Sequence, residues 1–432
     1  MEAVLSQKNK TLEFLGRVDA TFNEVNHSVL KGKIDAAKKR LEEYDLPGRK
    51  QEDWKYSKIT PVFNSEYSEQ RSNKAYDLSK WSMLNEEHNL LVFVNGFYRD
   101  DLSKINFHQE GVIIQNMTEA VDLFSEDVSK HYQADMPDSF FSDLNSSYHA
   151  NGVYVKVDDN VIAEKPIHVL HILDGDNCIS QARSMVLVGK NAKVEILESQ
   201  VEEAANASLS NHVTEFYIEE NGILNYSLIE KGSDNVLLHH NYFHQADHSK
   251  INSNTFTLAN KLTRNMHYAF IAGADTETRL NGSFMPAKGE QIDNRTMLNH
   301  QNLRGFSEEV YKGILYDDAN AVFNGKIFVD QKAQQTNAYL NNSNILMHDS
   351  AKMHSKPELE IYADDVRCSH GSATGDFDTE AQFYLQARGL GEESAKNMLI
   401  HAFMDEVAMK IENEEIQEIA KSYLDDRMSE LS

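Results

Sequence analysis

The residues best suited to chemistry in this chain are Cys368 and His370, within ADDVRCSHGSATG from Ala363 to Gly375. In an extended strand, side chains at i and i+2 share a face, with backbones about 6–7 Å apart. A thiolate and an imidazole so placed can lean toward one ligand, and this donor pair suits iron or zinc. The plainer alternative, a small buried cysteine beside a hydrogen-bonded histidine, fits the spacing equally well. Iron–sulfur clusters usually take four protein ligands. The only other cysteine, Cys178, lies 190 positions away, so no cluster is expected to be held stably by this chain alone. Another subunit or sulfide must supply the missing ligands.

Other candidates carry less. HHNYFHQADH gathers His239, His240, His244 and His248, but in strands and turns these are expected to fall on different faces and coils, which argues against a metal site. Asp364 and Asp365 read as turn residues rather than as a general acid and base. GxxxxGK[ST], a GxGxxG after a strand, GxSxG, HExxH and paired CxxC are all missing from the sequence. Nucleotide hydrolysis, serine hydrolysis and zincin chemistry therefore lose their usual support, and no catalytic residue is assigned.

With 42 basic and 68 acidic residues the net charge is -26. Such a field repels phosphate backbones and anionic lipid, so neither nucleic acid nor a membrane surface is expected as a partner. The N-terminus lacks the order of a secretory signal, no apolar run is long enough to span a bilayer, and two distant cysteines fit a reducing compartment. A cytoplasmic location is expected.

The elements that must position the Cys/His pair follow from periodicity. Residues 1 to about 45 read as helical, with Leu30, Ile34, Ala37, Leu41 and Tyr44 forming one stripe stopped at Pro47 and Gly48. Trp54 and Tyr56 in GRKQEDWKYSKITP read as packing that anchors a connecting segment. LLVFVNGFY predicts a strand turning at Asn95 and Gly96, and Met117 to Tyr132 a helix.

From Gly152 the period becomes two, and short strands with polar turns continue for more than two hundred residues to Ala363. This requires a barrel, sandwich, propeller or solenoid. Ala321 and Ala351, thirty residues apart before similar strands, favour a β-helix, with a sandwich as the rival. So do Asn337, Asn341, Asn342 and Asn344, read as stacked turn residues.

The last sixty residues are helical: Thr379–Arg388 stopped by Gly389, a stripe of Ala395, Met398, Leu399, Ala402, Phe403 and Val407, and a third helix capped by Asn413. The third helix carries Ile416, Ile419, Ala420, Tyr423 and Leu424. These stripes are expected to pack on each other, in a module that caps the solenoid's open edge or docks a partner. The domains are read as 1–150, mostly helical; 151–374, the β core; and 375–432, helical.

The run from Pro357 to Gly389 resembles the SufB/SufD family of iron–sulfur cluster assembly proteins, with a CSHG core closer to SufD. The similarity extends back through AYLNNSNILM and to GRKQEDWKYSKI near the N-terminus. The resemblance implies a mainly β fold, a right-handed parallel β-helix flanked by N-terminal and C-terminal helical domains. It implies a non-catalytic scaffold that pairs with a SufB-like paralogue and binds a SufC-like ABC ATPase through its C-terminal helices, where Met398, Leu399 and Phe403 are the expected contacts. Sulfur would come indirectly from a cysteine desulfurase system. Cys368 and His370 match the family's pair at the paralogue interface, where a transient iron–sulfur cluster would be shared. The usual small residue and threonine after CSHG are Ser372 and Ala373 here. Flavin binding and a homodimer in the partners' absence are left open. The alternatives are a carbohydrate-active β-helix enzyme and a plain β-helix interaction protein.

Overall fold

The computed structural model describes residues 2–22, 28–81 and 88–431. From Val153 the chain winds as a parallel β-helix, each coil giving one strand to a nine-stranded sheet and the next to a ten-stranded sheet. Eight coils stack, from Val153–Val157 with Ile167–Asp176 to Lys352–Ile361 with Arg367–Asp376. The stack has a turn ladder. Asn160, Asn191, Asn221, His248, Asp275, Arg304 and Gln335, one in each of the first seven coils, sit at φ between 53° and 63°. Each such N–H donates to the neighbouring coil, as Asn191 does to Glu220 O at 3.0 Å and His248 to Ala274 O at 2.8 Å. Asparagine and aspartate enter this left-handed conformation with least strain, so the polar turns visible in the sequence are what each coil needs.

The two ends of the stack differ. At the first coil, Asn89–Val94 pairs in parallel with Ile167–Asp176, and Val112–Asn116 pairs antiparallel with Val153–Val157. The hairpin turns at Asn95 and Gly96 as expected, both at positive φ. At the last coil, Lys352–Ile361 and Arg367–Asp376 are edge strands with no further partner among the described residues.

The expected N-terminal stripe forms over Lys31–Glu43, burying Ile34, Ala37 and Leu41; residues 23–27 of that helical reading lie outside the described residues. Phe14, Leu41 and Phe140 pack with Ile179, Leu209 and Leu238, covering the outer face of the nine-stranded sheet. Met117 to Tyr132 divides into Met117–Leu123 and Ser125–His131. One helix is not among the expected elements: Phe140–Tyr148 is buried throughout, with Phe140, Phe141, Leu144 and Tyr148 as its apolar stripe, and its Asn145 Nδ2 donates to Ala182 O and Asn211 O, both at 2.8 Å. Asn145 serves strand carbonyls, while Ser146 and Ser147 donate to Ser142 O and Asp143 O of the helix itself; the helical spacing of its four apolar residues was the signal that could have revealed it. Trp54 does anchor its segment, with the Arg264 guanidinium 3.6 Å from its ring centroid and Phe141 at 5.5 Å.

Two sequence readings need correction. Ala321 stacks on Met353, not Ala351, because the local repeat is 32 residues and Asn320 pairs with Lys352; a two-residue shift preserves the face, which is why the similarity survived. The asparagines 337, 341, 342 and 344 lie in the strand Asn337–Leu346 rather than in turns, and Asn342 and Asn344 are buried within it.

The C-terminal helices Glu392–Ala408 and Glu414–Glu430 pack chiefly on the outer face of the ten-stranded sheet, where Ile400, Met404, Val407, Ile416 and Leu424 meet Leu197, Ile229, Phe256 and Ile314. In Glu392–Ala408, Met398 and Ala402 are exposed while Ile400 and Met404 are buried. Apolar residues nearly surround this helix, and docking on the sheet selects the face. The third helix buries the stripe expected of it and is capped by Asn413 Oδ1, which accepts from Glu415 N at 3.0 Å.

Gln335 is an exposed non-glycine residue at φ 63°. Glycine there relieves about 1–2 kcal/mol of left-handed strain and costs about 0.5–1 kcal/mol in unfolded-chain freedom. Gln335→Gly is thus expected to raise stability by up to about 1 kcal/mol, measured as a higher denaturant midpoint with an unchanged slope.

Candidate functional site

Register fixes the direction of the Cys/His pair. Cys368 pairs with Ala338 and His370 with Leu340, both fully buried residues of the solenoid core. Cys368 and His370 therefore project onto the core side of the last coil, on one face as their spacing predicts. No coil lies above them, so Cys368 is half-buried and His370 exposed. Met353, Leu359 and Val366 pack against the core in the same terminal layer.

A short polar bridge crosses that layer. Ser355 Oγ and Ser372 Oγ, one from each sheet, are 2.8 Å apart, and Ser355 Oγ also donates to Asn342 Oδ1 at 2.8 Å. Asn344 Nδ2 donates to Thr374 Oγ1 at 3.2 Å. Ser372 thus ties the two terminal strands together. Gly371 has its own reason: a Cβ there would sit 2.8 Å from Asn341 Oδ1 in the coil below.

Burial pushes the Cys368 thiol up, opposed by a hydrogen bond with the Ala338 backbone. At neutral pH it is a thiol, and a metal or a base must take its proton before it can act as a ligand. Cys178 is inert by comparison: it is fully buried, and burial pushes its thiol up to about 12.

The expected partner contacts on the C-terminal helices are unequal. Met398 is exposed and Leu399 half-buried. Phe403 packs against the solenoid, with Lys312 Nζ 4.4 Å from its ring centroid. Phe383 and Tyr384, on the helix Thr379–Ala387, are 70% and 58% exposed and escaped the sequence reading.

The four clustered histidines separate in part as expected, but three share the strand Val236–Gln245 rather than occupying different coils. His244 stacks between Tyr217 and Phe270 at 4.6 and 4.9 Å, and His248 is the left-handed turn residue. His239 pairs in register with His212 and belongs to the solenoid interior, where His171, Glu198 and His212 each offer a ligand atom within 4.8 Å of the others. Sequence reading missed Glu198, His171 and His212. The available signal was a 27-residue offset between His212 and His239, legible only once coil register is known.

Polar side chains continue along the interior. Glu230 Oε2 accepts from Thr257 Oγ1 at 2.6 Å and Asn265 Nδ2 at 2.7 Å, and Glu309 Oε2 accepts from Thr296 Oγ1 at 2.6 Å. Burial pushes the two carboxyls up to about 7 and about 8 against these bonds.

Residues 171–403 match the family described as SUF system FeS cluster assembly, SufBD core domain, and residues 6–169 the SufBD protein N-terminal region. The chain belongs to the SufBD family. Its SufBD relatives include the iron–sulfur cluster assembly protein SufD of Escherichia coli, 30% identical over 86% of this chain and 87% of that protein. An iron–sulfur cluster assembly SufBD family protein of Synechocystis sp. is 27% identical over 93% of this chain and 92% of its own length. A chloroplastic protein of Arabidopsis thaliana, ABCI7, is 26% identical over 90% and 84%. Membership in the SufBD family selects cluster assembly over polysaccharide processing. Among the described residues no helix is long and apolar enough to cross a membrane.

Two outcomes follow from the buried acids and thiols. Iodoacetamide at about pH 7.5 should modify Cys368 slowly and leave Cys178 untouched until the chain unfolds, as peptide mass spectrometry will record. Glu309 has a folded value raised above its ordinary 4.5, so its contribution to stability is full below that value and falls as pH rises toward about 8. Glu309→Gln should remove that loss, so the stability difference between variant and wild type grows between these pH values by at most about 1.4 kcal/mol per pH unit. Parallel denaturation curves across this range would show a constant difference if the acid were ionised in the fold.

Proposed function

We propose that the chain is a non-catalytic scaffold subunit of iron–sulfur cluster assembly, SufD-like in role, that contributes Cys368 and His370 to a site completed by a SufB-like paralogue. The observation that carries this reading is the uncovered last coil. Two edge strands present unpaired backbone groups side by side, and a second β-helix with a similar open end can continue both sheets. Such a junction encloses the core-side thiol and imidazole between two subunits, where the paralogue supplies the ligands that two groups lack. Iron and sulfide are then cargo, held transiently and released as a cluster.

The C-terminal helices support the second half of the reading. Their exposed Phe383, Tyr384 and Met398, with Leu399 beside them, form the surface offered to a SufC-like ATPase, while Phe403 braces the helix against Lys312. ATP-driven movement of the bound subunit would reach the solenoid through the packed helix Glu392–Ala408 and strain the junction. A cysteine desulfurase system would provide sulfur through the paralogue. Without the paralogue, the same edge could join two copies of this chain.

His370→Ala should lower cluster formation about tenfold or more in a reconstituted complex, since an interface ligand is lost, while gel filtration still shows the complex intact. Undiminished iron and sulfide incorporation by that variant would refute the site. Met398→Asp combined with Phe383→Asp should abolish copurification of the ATPase and leave the paralogue bound.

A further inference from the structure

Inside the first four coils, Glu198 is fully enclosed and has an unusual set of neighbours. His171 Nε2 lies 3.4 Å and His239 Nε2 3.7 Å from its Oε1. Both ring nitrogens of His171 and both of His239 are buried without a hydrogen-bond partner. His212 completes the group, its ring centroid 4.5 Å from that of His171. Two other buried carboxylates have permanent cations, Glu215 with Arg183 and Asp293 with Arg264, while Glu230 and Glu309 are held by hydroxyl or amide donors. No lysine or arginine pairs with Glu198 among the described residues.

We infer that His171, Glu198, His212 and His239 form a structural binding site for one divalent first-row transition cation. Four imidazole nitrogens without hydrogen-bond partners beside a carboxylate with no permanent cation, all shielded from water, are costly without a ligand. A tetrahedral ion with bonds of about 2.0–2.2 Å holds its ligand atoms roughly 3.3–3.6 Å apart; His171 and His239 stand near that separation from Glu198 Oε1, while the ligand atoms of His171, Glu198 and His212 lie within 4.8 Å of one another, so the rings of His212 and His239, 6.2 Å apart, must draw in as the ion binds. Three imidazoles and one carboxylate suit zinc or ferrous iron and disfavour magnesium or calcium, which demand oxygen.

The outer contacts orient the set. Tyr226 donates its hydroxyl to Glu198 Oε2 at 2.8 Å, while Oε1 faces the two histidines and accepts from Gln200 Nε2 at 3.1 Å, a bond that a bound ion replaces. His212 Nε2 lies 3.1 Å from Ser180 Oγ; donation there leaves Nδ1 as the metal ligand once the Gln200 amide, now 2.6 Å away, turns aside. The ligands come from four successive coils. A bound ion pins the start of the solenoid, and it is captured as those coils close. This site is distinct from the open coil at the other end and does not depend on the proposed cluster chemistry.

The full chain would be unfolded with chelator and refolded without metal, with Zn2+ or Co2+, or with Fe2+ under anaerobic conditions. A single ion per chain should survive gel filtration, Co2+ should give visible d–d absorption, and the thermal midpoint should rise by several degrees, because the ion binds only the folded state. Glu198→Gln should bind about 10–100-fold more weakly and lose the thermal shift. His171→Gln, judged by the same readouts, serves if that variant fails to fold. Cys368→Ser combined with His370→Ala should bind the ion normally. Wild-type chain that retains no ion and shows no shift overturns the site, as does full retention by both interior variants.

Discussion

The structure depends on one constraint: the backbone groups of each coil are paired by the coils on either side. A parallel β-helix has no other way to bury its interior, so every coil needs neighbours. At the first coil the requirement is met by Asn89–Val94 and Val112–Asn116. At the last coil it is left open on both sheets. The same stacking that buries Ala338 and Leu340 leaves Cys368 and His370 above them uncovered. A reactive pair and an unsatisfied edge therefore occur together because both are consequences of where the stack stops.

Charge burial follows from this geometry. Inward positions repeat at fixed register, so any polar residue placed there meets a vertical neighbour in the next coil. Glu230 and Glu309 answer by favouring the neutral acid and accepting hydroxyl or amide donors. On the outer face of the nine-stranded sheet, Arg183 with Glu215 and Arg264 with Asp293 are buried ion pairs under the N-terminal helices and the Trp54 segment. Removing one partner of such a pair costs about 3–5 kcal/mol, because the other is left charged and dry. These pairs make attachment of the N-terminal region specific.

The C-terminal helices settle where the module sits. They lie along the flank of the solenoid, with Arg427 donating to Met285 O at 3.1 Å and to Glu290 Oε2 at 2.6 Å. Had they folded over the last coil, they would have covered Cys368 and satisfied the edge. Flank docking instead keeps the terminal edge and the exposed Phe383, Tyr384 and Met398 free at the same time. One chain thus offers two separate surfaces joined by packed helices.

The sequence by itself determined the local grammar: a period of two with polar turns, helices at both ends, the Asn95–Gly96 hairpin, the Asn413 cap, and Cys368 and His370 on one face. Each of these rests on neighbours a few residues apart, and the CSHG run carried the family resemblance. What only the tertiary structure decided depends on residues some thirty positions apart or more. Coil register placed Ala351 two residues from its expected level, and turned Asn342 and Asn344 inward. It also brought His171, Glu198, His212 and His239 together from four coils. Docking against the ten-stranded sheet chose Ile400 and Met404 over Met398 and Ala402, since the helix alone offers more than one apolar face. The helix Phe140–Tyr148 was legible in the spacing of Phe140, Phe141, Leu144 and Tyr148, but only the fold shows that Asn145 beside them bonds two strand carbonyls. Periodicity reports which side of an element is apolar; only stacking determines what that side meets.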